Sequence, residues 1–203
     1  MSTDDIKQVL DFWFCKCAQD TPQIDGRMSR WLDPDPEMDE EIKQTFGELI
    51  KQASKDGLQD WEASAEGRLA LILLLDQFSR RIHPGRTVVY RGDQRALKLC
   101  ADGVESGLFR ELSPEQRIFF FMPLQHAESL KIQQTSVRIY NSLVEKVSET
   151  MKETFRTFAQ FAELHHDIIA EFGRFPHRNK LLGRKNTVAE KTYLAVETAL
   201  SSQ

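Results

Sequence analysis

Seven consecutive apolar residues, Leu69-Ala70-Leu71-Ile72-Leu73-Leu74-Leu75, lie in the first half of a chain of 203 residues. A helix built on that run is apolar on every face, so it needs packing neighbours all round and belongs at the centre of a bundle. A buried strand also reads as a continuous apolar run. Leucine dominates here, Ile72 is the lone β-branched residue, and Glu66, Arg68 and Gln77 extend the element at both ends, so the expectation is a helix over about 62–78. The run is far shorter than the ~20 residues that cross a bilayer, and no membrane association is expected.

The flanking sequence offers the neighbours that such a helix requires. Ile6, Val9, Leu10, Trp13, Phe14 and Cys17 recur at helical spacing, with Thr3 or Asp4 as a starting cap. From 20 to 36 the chain is polar and broken by Pro22, Gly26, Pro34 and Pro36, a loop pinned by Trp31-Leu32. Met38, Ile42, Phe46, Leu49, Ile50 and Ala53 then form the stripe of a helix over 37–55, with Gly57 as its C-cap. Asp93 is expected to cap a helix running through Leu97, Cys100 and Val104 and closed by Gly107.

Ser113-Pro114-Glu115-Gln116 has the order of a capping box with proline at the first helical position. It opens a short helix that Pro123 interrupts, followed by longer helices over 126–147 and 150–172. Gly173 should end the last of these, and Thr187-Val188-Ala189-Glu190 should cap a final one. Period-two alternation is absent. The chain is therefore expected to be one all-α domain over 1–203, an antiparallel array of helical hairpins or an irregular bundle of seven to nine helices.

Composition narrows the function classes. Hydrophobic residues are 40% and charged residues 29%, values of a folded protein, and the net charge of −4 argues against a nucleic-acid partner. The acidic start Met1-Ser2-Thr3-Asp4-Asp5 is unlike a secretory leader, and the expected setting is cytoplasmic. Cys15 and Cys17 lie two apart, which separates them on a helix, so they and Cys100 are expected to be structural thiols.

Three stretches place polar groups where a helical core has no need of them. They are Asp76-Gln77-Phe78-Ser79-Arg80-Arg81, the segment from Pro123 to Ser136, and the segment from His165 to Arg184. Four of the five histidines fall in the second and third. Imidazole titrates near neutrality, so His126 and His177 are candidate acid–base groups, with Glu128 to orient one of them. Asp76, Arg80, Gln133, His165, Arg174, Arg178, Asn179 and Arg184 are candidate ligand contacts. Guanidinium groups suit an anionic partner, a phosphate or carboxylate. The structural alternative is that these arginines fasten loops by pairing with Asp76, Glu128 or Glu171.

Metal and cofactor signals are weak. Glu163 and His166 have the Glu-x-x-His spacing of di-iron bundles, but no second copy exists, and no metal site is expected. Phosphate-binding loops, dinucleotide fingerprints and nucleophile elbows are all missing, so no cofactor is expected.

At these stretches the chain resembles the domain of unknown function 924 family of mainly bacterial proteins. The resemblance rests on Gly67 to Phe78 with Arg80, then on Pro123, His126, Glu128, Gln133 and Ser136. It rests further on His165, Ile168-Ile169, the block from Phe172 to Asn179, and Leu182-Gly183-Arg184. Aromatics at Phe12-Trp13-Phe14, Trp31 and Trp61 also fit. This chain reads Gln77-Phe78-Ser79-Arg80-Arg81 where the family usually has Gln-Phe-Pro-Arg-Asn, and Ala127 and Ser129 where it more often has Ser and Asp. The resemblance implies a tetratricopeptide-like stack of helical hairpins and no established activity.

Two functional readings follow. One is a binding or scaffold module of the helical-hairpin type, recognising a peptide or protein partner in an open groove, in which Arg80, Arg174 and Arg178 are engaged in internal pairs. The other is a small enzyme on an anionic molecule, which requires His126, Glu128, His165, Arg174 and His177 to converge on one cleft.

Overall fold

The computed structural model describes residues 2–15 and 28–200. Among them every regular element is helical. Leu69 to Leu75 are all at most 1% exposed, as a helix apolar on every face requires. Helix α4 (Ala65–Ile72) begins later than the expected 62, because Ser64 accepts the Gly67 N–H as a cap and Gln59–Ala63 forms a 3-10 turn before it. A Cβ on Gly67 would sit 2.1 Å from the Trp61 carbonyl oxygen, so only glycine lets that turn lie against the helix. The helix does not stop at 78. It widens into a π-turn at Leu73–Phe78, where the Ser79 N–H reaches back to the Leu74 carbonyl, and resumes as α5 (Ser79–Ile82).

This rod is surrounded. Helix α1 (Ser2–Leu10), α3 (Pro36–Ala53), α6 (Asp93–Glu105) and α7 (Pro114–Phe120) all pack on it. The π-turn Asp11–Cys15 after α1 and the short α2 (Met28–Leu32) supply aromatics to the same core. Phe12, Trp13, Phe14, Trp31, Phe46, Phe78 and Phe119 meet in tilted and edge-on pairs with centroids 5.0 to 6.5 Å apart. The helix breaks at Phe121, and Pro123 stands in the first turn of α8 (Met122–Gln125), the interruption expected of it. Helices α9 (Leu130–Glu145) and α10 (Lys152–Phe172) form an antiparallel hairpin across the turn Glu149–Met151 and share the most extensive contact in the fold. With the 65–82 rod and the 114–125 pair each taken as one, the described residues hold nine helices.

One hydrophobic cluster runs from Val9 to Ala162, and a small second one joins Ile168, Ile169 and Phe175 to Phe172 and Tyr193 beside α11 (Val188–Leu200). Gly173 caps α10 at φ 69°, and Thr187 and Glu190 form the expected capping box through bonds of 2.6 and 3.2 Å.

Four expectations are corrected. Asp93 does not cap α6: the cap is Gly92, and the Asp93 carboxylate serves arginines instead. The helix expected from 126 starts at Leu130, leaving His126 and Glu128 in an irregular link. Gly57 is not the C-cap of α3; that is Ser54, and the left-handed residues are Asp56 and Leu58 on either side. The first α-helix ends at Leu10 because the chain widens there into its π-turn. Cys100 is buried and unpaired, and burial raises its pKa. Cys17, Pro22, Gly26 and the side chain of Cys15 lie outside the described residues. No described helix is long and apolar enough to cross a membrane.

Candidate functional site

Asp76 sits in the π-turn of the central rod, and its side chain is 1% exposed. Oδ1 accepts from Nδ1 of His126 at 2.7 Å and from Nε and Nη2 of Arg80 at 3.1 and 2.9 Å. Oδ2 accepts from Gln77 at 2.6 Å. Burial alone would raise this carboxyl, but the charges and hydrogen bonds of His126 and Arg80 outweigh it and hold the group well below the usual carboxylate range. Asp76 is therefore ionised and can only accept. A proton therefore stands on His126 Nδ1, and Nε2, the ring's other nitrogen, makes no hydrogen bond with a described residue.

A second carboxylate joins from the next turn of chain. Arg80 donates to Asp93 Oδ1 at 2.6 Å, and Arg178 donates to Oδ2 at 3.3 Å across a separation of 85 residues. Gly92 makes this possible, since a Cβ there would meet the Leu75 carbonyl oxygen at 3.0 Å and its side chain at 3.2 Å. The 3-10 turn Thr87–Arg91 thus lies against the rod and presents Tyr90 to the same cluster. The Arg178 guanidinium stands between Tyr90 and Phe175, 4.9 and 4.5 Å from the ring centroids. Desolvation lowers the Arg178 pKa, with Arg80 adding to the effect and Asp93 opposing it.

Two more imidazoles complete the cluster. His165, on α10, has its ring centroid 6.1 Å from that of His126 and 5.4 Å from that of Phe175. His177 lies 5.4 Å from Phe175 on the 3-10 turn Pro176–Arg178. Burial, then the neighbouring cationic groups, push His165 down to about 3 and His177 down to about 4, so both are neutral at pH 7. His165 Nδ1 and Arg178 Nε are buried without a hydrogen-bond partner among the described residues. Buried groups of that kind are normally met by water or a ligand.

The other candidates do different work. Glu128 accepts from Arg184 at 2.6 and 2.9 Å and from the Phe175 N–H at 2.8 Å, so it ties the 174–184 loop to the 126–129 link. It does not touch a histidine in the role expected of it. Arg174 turns to Glu190, donating at 2.7 and 3.0 Å, and Glu190 is driven down to about 2 by Arg174 and the Thr187 N–H. Gln133 donates to the carbonyls of Gln125 and Ala127 at 2.7 and 2.8 Å, shaping the link that carries His126. Asn179 donates to Asn186 at 2.8 Å.

The fold thus brings together Asp76, Arg80, His126, His165, His177 and Arg178. Glu128, Gln133, Arg174, Asn179 and Arg184 hydrogen-bond within the links and loops around that cluster. Sequence reading missed Tyr90 and the role of Asp93, and no local pattern marks either. The one available signal was Gly92, a glycine at the start of a helix that had a competent cap beside it. Two carboxylates face two guanidinium groups here, so the charges of Arg80 and Arg178 are matched. Among the described residues no three His, Cys, Asp or Glu side chains group to hold a metal ion.

Comparison with known proteins agrees with this architecture. A solved structure of a protein of unknown function, ATU0120 from Agrobacterium tumefaciens, is similar with a TM-score of 0.80 and 31% identity, covering 96% of this chain and 98% of that one. Among curated proteins nothing matches. The family described as bacterial protein of unknown function (DUF924) matches residues 9–197. With nearly the whole length matched, this chain belongs to the DUF924 family.

Proposed function

We propose that this chain is a binding protein for a small polar molecule, held on the imidazoles of His126, His165 and His177 over Arg178, and that His126 exchanges a proton with it. The observation that carries this reading is the 2.7 Å contact of His126 with the fully buried Asp76. Buried ion pairs are weak contributors to stability, because desolvation offsets their attraction. Perturbed titratable groups cluster where chemistry is done. An ionised carboxylate that fixes one imidazole nitrogen and leaves the other open is the arrangement of a general base. Asp76, rather than Glu128, is the orienting partner.

The ligand is not an anion clamped by Arg80 and Arg178, because Asp76 and Asp93 already neutralise them. Two neutral imidazoles and the open His126 Nε2 suit a polar molecule with matching donors and acceptors. Internal pairing of the arginines is also what the scaffold reading anticipates, and it favours binding over turnover as the primary role. In this reading the chain is one cytoplasmic domain of tetratricopeptide-like hairpins, and it unfolds in a single cooperative transition.

The test is native mass spectrometry of the protein purified from its host cells. A retained small molecule is expected with the wild type and lost from His126→Ala and His165→Ala, both of which keep the helical circular dichroism. A ligand retained equally by these variants overturns the reading. Conversion of that molecule by the wild type, abolished in His126→Gln with binding intact, would raise the protein from binder to acid–base enzyme.

A further inference from the structure

A cavity of about 720 Å³ opens between α3 and the segment 79–91. That volume lies within the range of small-molecule sites. Lys43 and Lys51 line it from α3, Lys55 from the turn after that helix, and His83, Arg86 and Arg91 from the opposite wall. No Asp or Glu lines it. Its floor is apolar, formed by Ile50, Ile82 and Val88. In a chain of net charge −4 this concentration of one sign is uncommon.

The charges here differ from those around Asp76. Lys43 and Lys51 lean on the exposed carboxylates of Glu40 and Glu48, at 3.1 and 3.2 Å, pairs that are weak and readily exchanged. The side chains of Lys55, Arg86 and Arg91 make no hydrogen bond or ion pair with a described residue. Gly47 lies on the same helix face and lines the cavity in the middle of α3. A Cβ there would meet nothing within 4 Å, so packing does not require glycine. Glycine weakens a helix interior relative to alanine, and at this position it keeps the cavity wall bare.

We infer that this cavity binds an organic phosphate. Phosphate oxygens would lie on Lys55, Arg86 and Arg91, and the apolar part of the molecule on Ile50, Ile82 and Val88. Guanidinium groups bind phosphate through paired donors, and the ammonium groups add charge at the mouth. The site is separate from the imidazole cluster. Ser79, Ile82, Val88 and Arg91 line the cavity, whereas Arg80 and Tyr90, their neighbours in the chain, serve the cluster.

Isothermal titration with octyl phosphate below its micellar concentration tests the inference, with inorganic phosphate and a short single-stranded RNA as comparisons. Octyl phosphate should bind about tenfold more tightly than inorganic phosphate, because only it covers the apolar floor. Binding should weaken with salt. Lys55→Glu and the double substitution Arg86→Glu/Arg91→Glu alter exposed side chains and should each reduce affinity about tenfold or more. Gly47→Leu should fill the cavity and abolish binding while leaving the melting temperature unchanged or higher. His126→Ala should bind octyl phosphate like the wild type, which keeps this site distinct from the proposed function. Absence of octyl phosphate binding at low salt, undiminished binding by Gly47→Leu, or tighter binding of RNA would each overturn the inference.

Discussion

Arg184 grips Glu128 through two parallel N–H···O bonds, 2.6 and 2.9 Å long. The same carboxylate accepts the Phe175 N–H, and Arg184 donates to the Phe175 carbonyl at 3.1 Å. The loop that carries His177 and Arg178 is therefore clipped at its first residues to the link that carries His126. Glu128→Gln should lower stability by about 1–2 kcal/mol, the value of a charge-assisted pair discounted for its partial exposure. Hydrogen–deuterium exchange should quicken over 174–184. The His126 ring signals should stay in place, which would separate fastening from chemistry.

Asp76→Asn should have a larger effect. It leaves Arg80 and His126 beside a neutral amide in a buried site, and breaking one partner of such a pair costs about 3–5 kcal/mol. Long-range nitrogen–proton correlation spectra check the wiring directly. In the wild type the proton of the neutral His126 ring should sit on Nδ1, and in Asp76→Asn that preference should be lost.

Acid should destabilise the protein in two stages. His165 and His177 have folded values of about 3 and about 4, below the 6.5 of the free side chain. Between those limits the unfolded chain binds more protons, so stability falls as pH drops from about 6.5, by a few kcal/mol in all. Asp76, Glu128 and Glu190 are depressed below their ordinary values, so what they contribute is present above about pH 4 and is lost below it. Melting temperature measured from pH 8 to pH 3 should show both stages. His165→Gln should shrink the first to the share of His177 and leave the second.

Gly92→Ala should disturb the cluster without touching any of its polar side chains. The added methyl meets the Leu75 carbonyl at 3.0 Å, so the 87–93 segment must move off the rod. A loss of about 1–2 kcal/mol is expected. Arg178 should become more mobile, since both Tyr90 and Asp93 retreat from it, and a crystal structure of the variant would show the displacement.

The parts of the fold readable in advance are those where one residue or one local pattern decides. The apolar run at 69–75 left a buried helix as the favoured choice, Gly173 ended α10 because only a left-handed cap fits there, and Thr187 and Glu190 named their own box. What failed turned on distant partners. Asp93 is a competent cap by residue type, yet its carboxylate is held by Arg80 and Arg178, which come from other segments. Glu128 stands two residues from His126 and pairs instead with Arg184, which is 56 residues away. Lys43 and Lys51 of α3 meet His83, Arg86 and Arg91 only through the fold, and no local pattern marks that meeting. The histidines were legible as a group. Which carboxylate serves them was not.

The π-turn at Leu73–Phe78 puts one extra residue into the central rod, and the segment beyond it serves both sites. Arg80 belongs to the imidazole cluster, while Ser79 and Ile82 wall the basic cavity. Each helical residue is about 100° of rotation. Deleting one residue from the regular stretch before it, Ala65–Ile72, would swing α5 by that angle like a key in a lock. Both sites would then be unset in a single stroke, so the two are geared to one shaft.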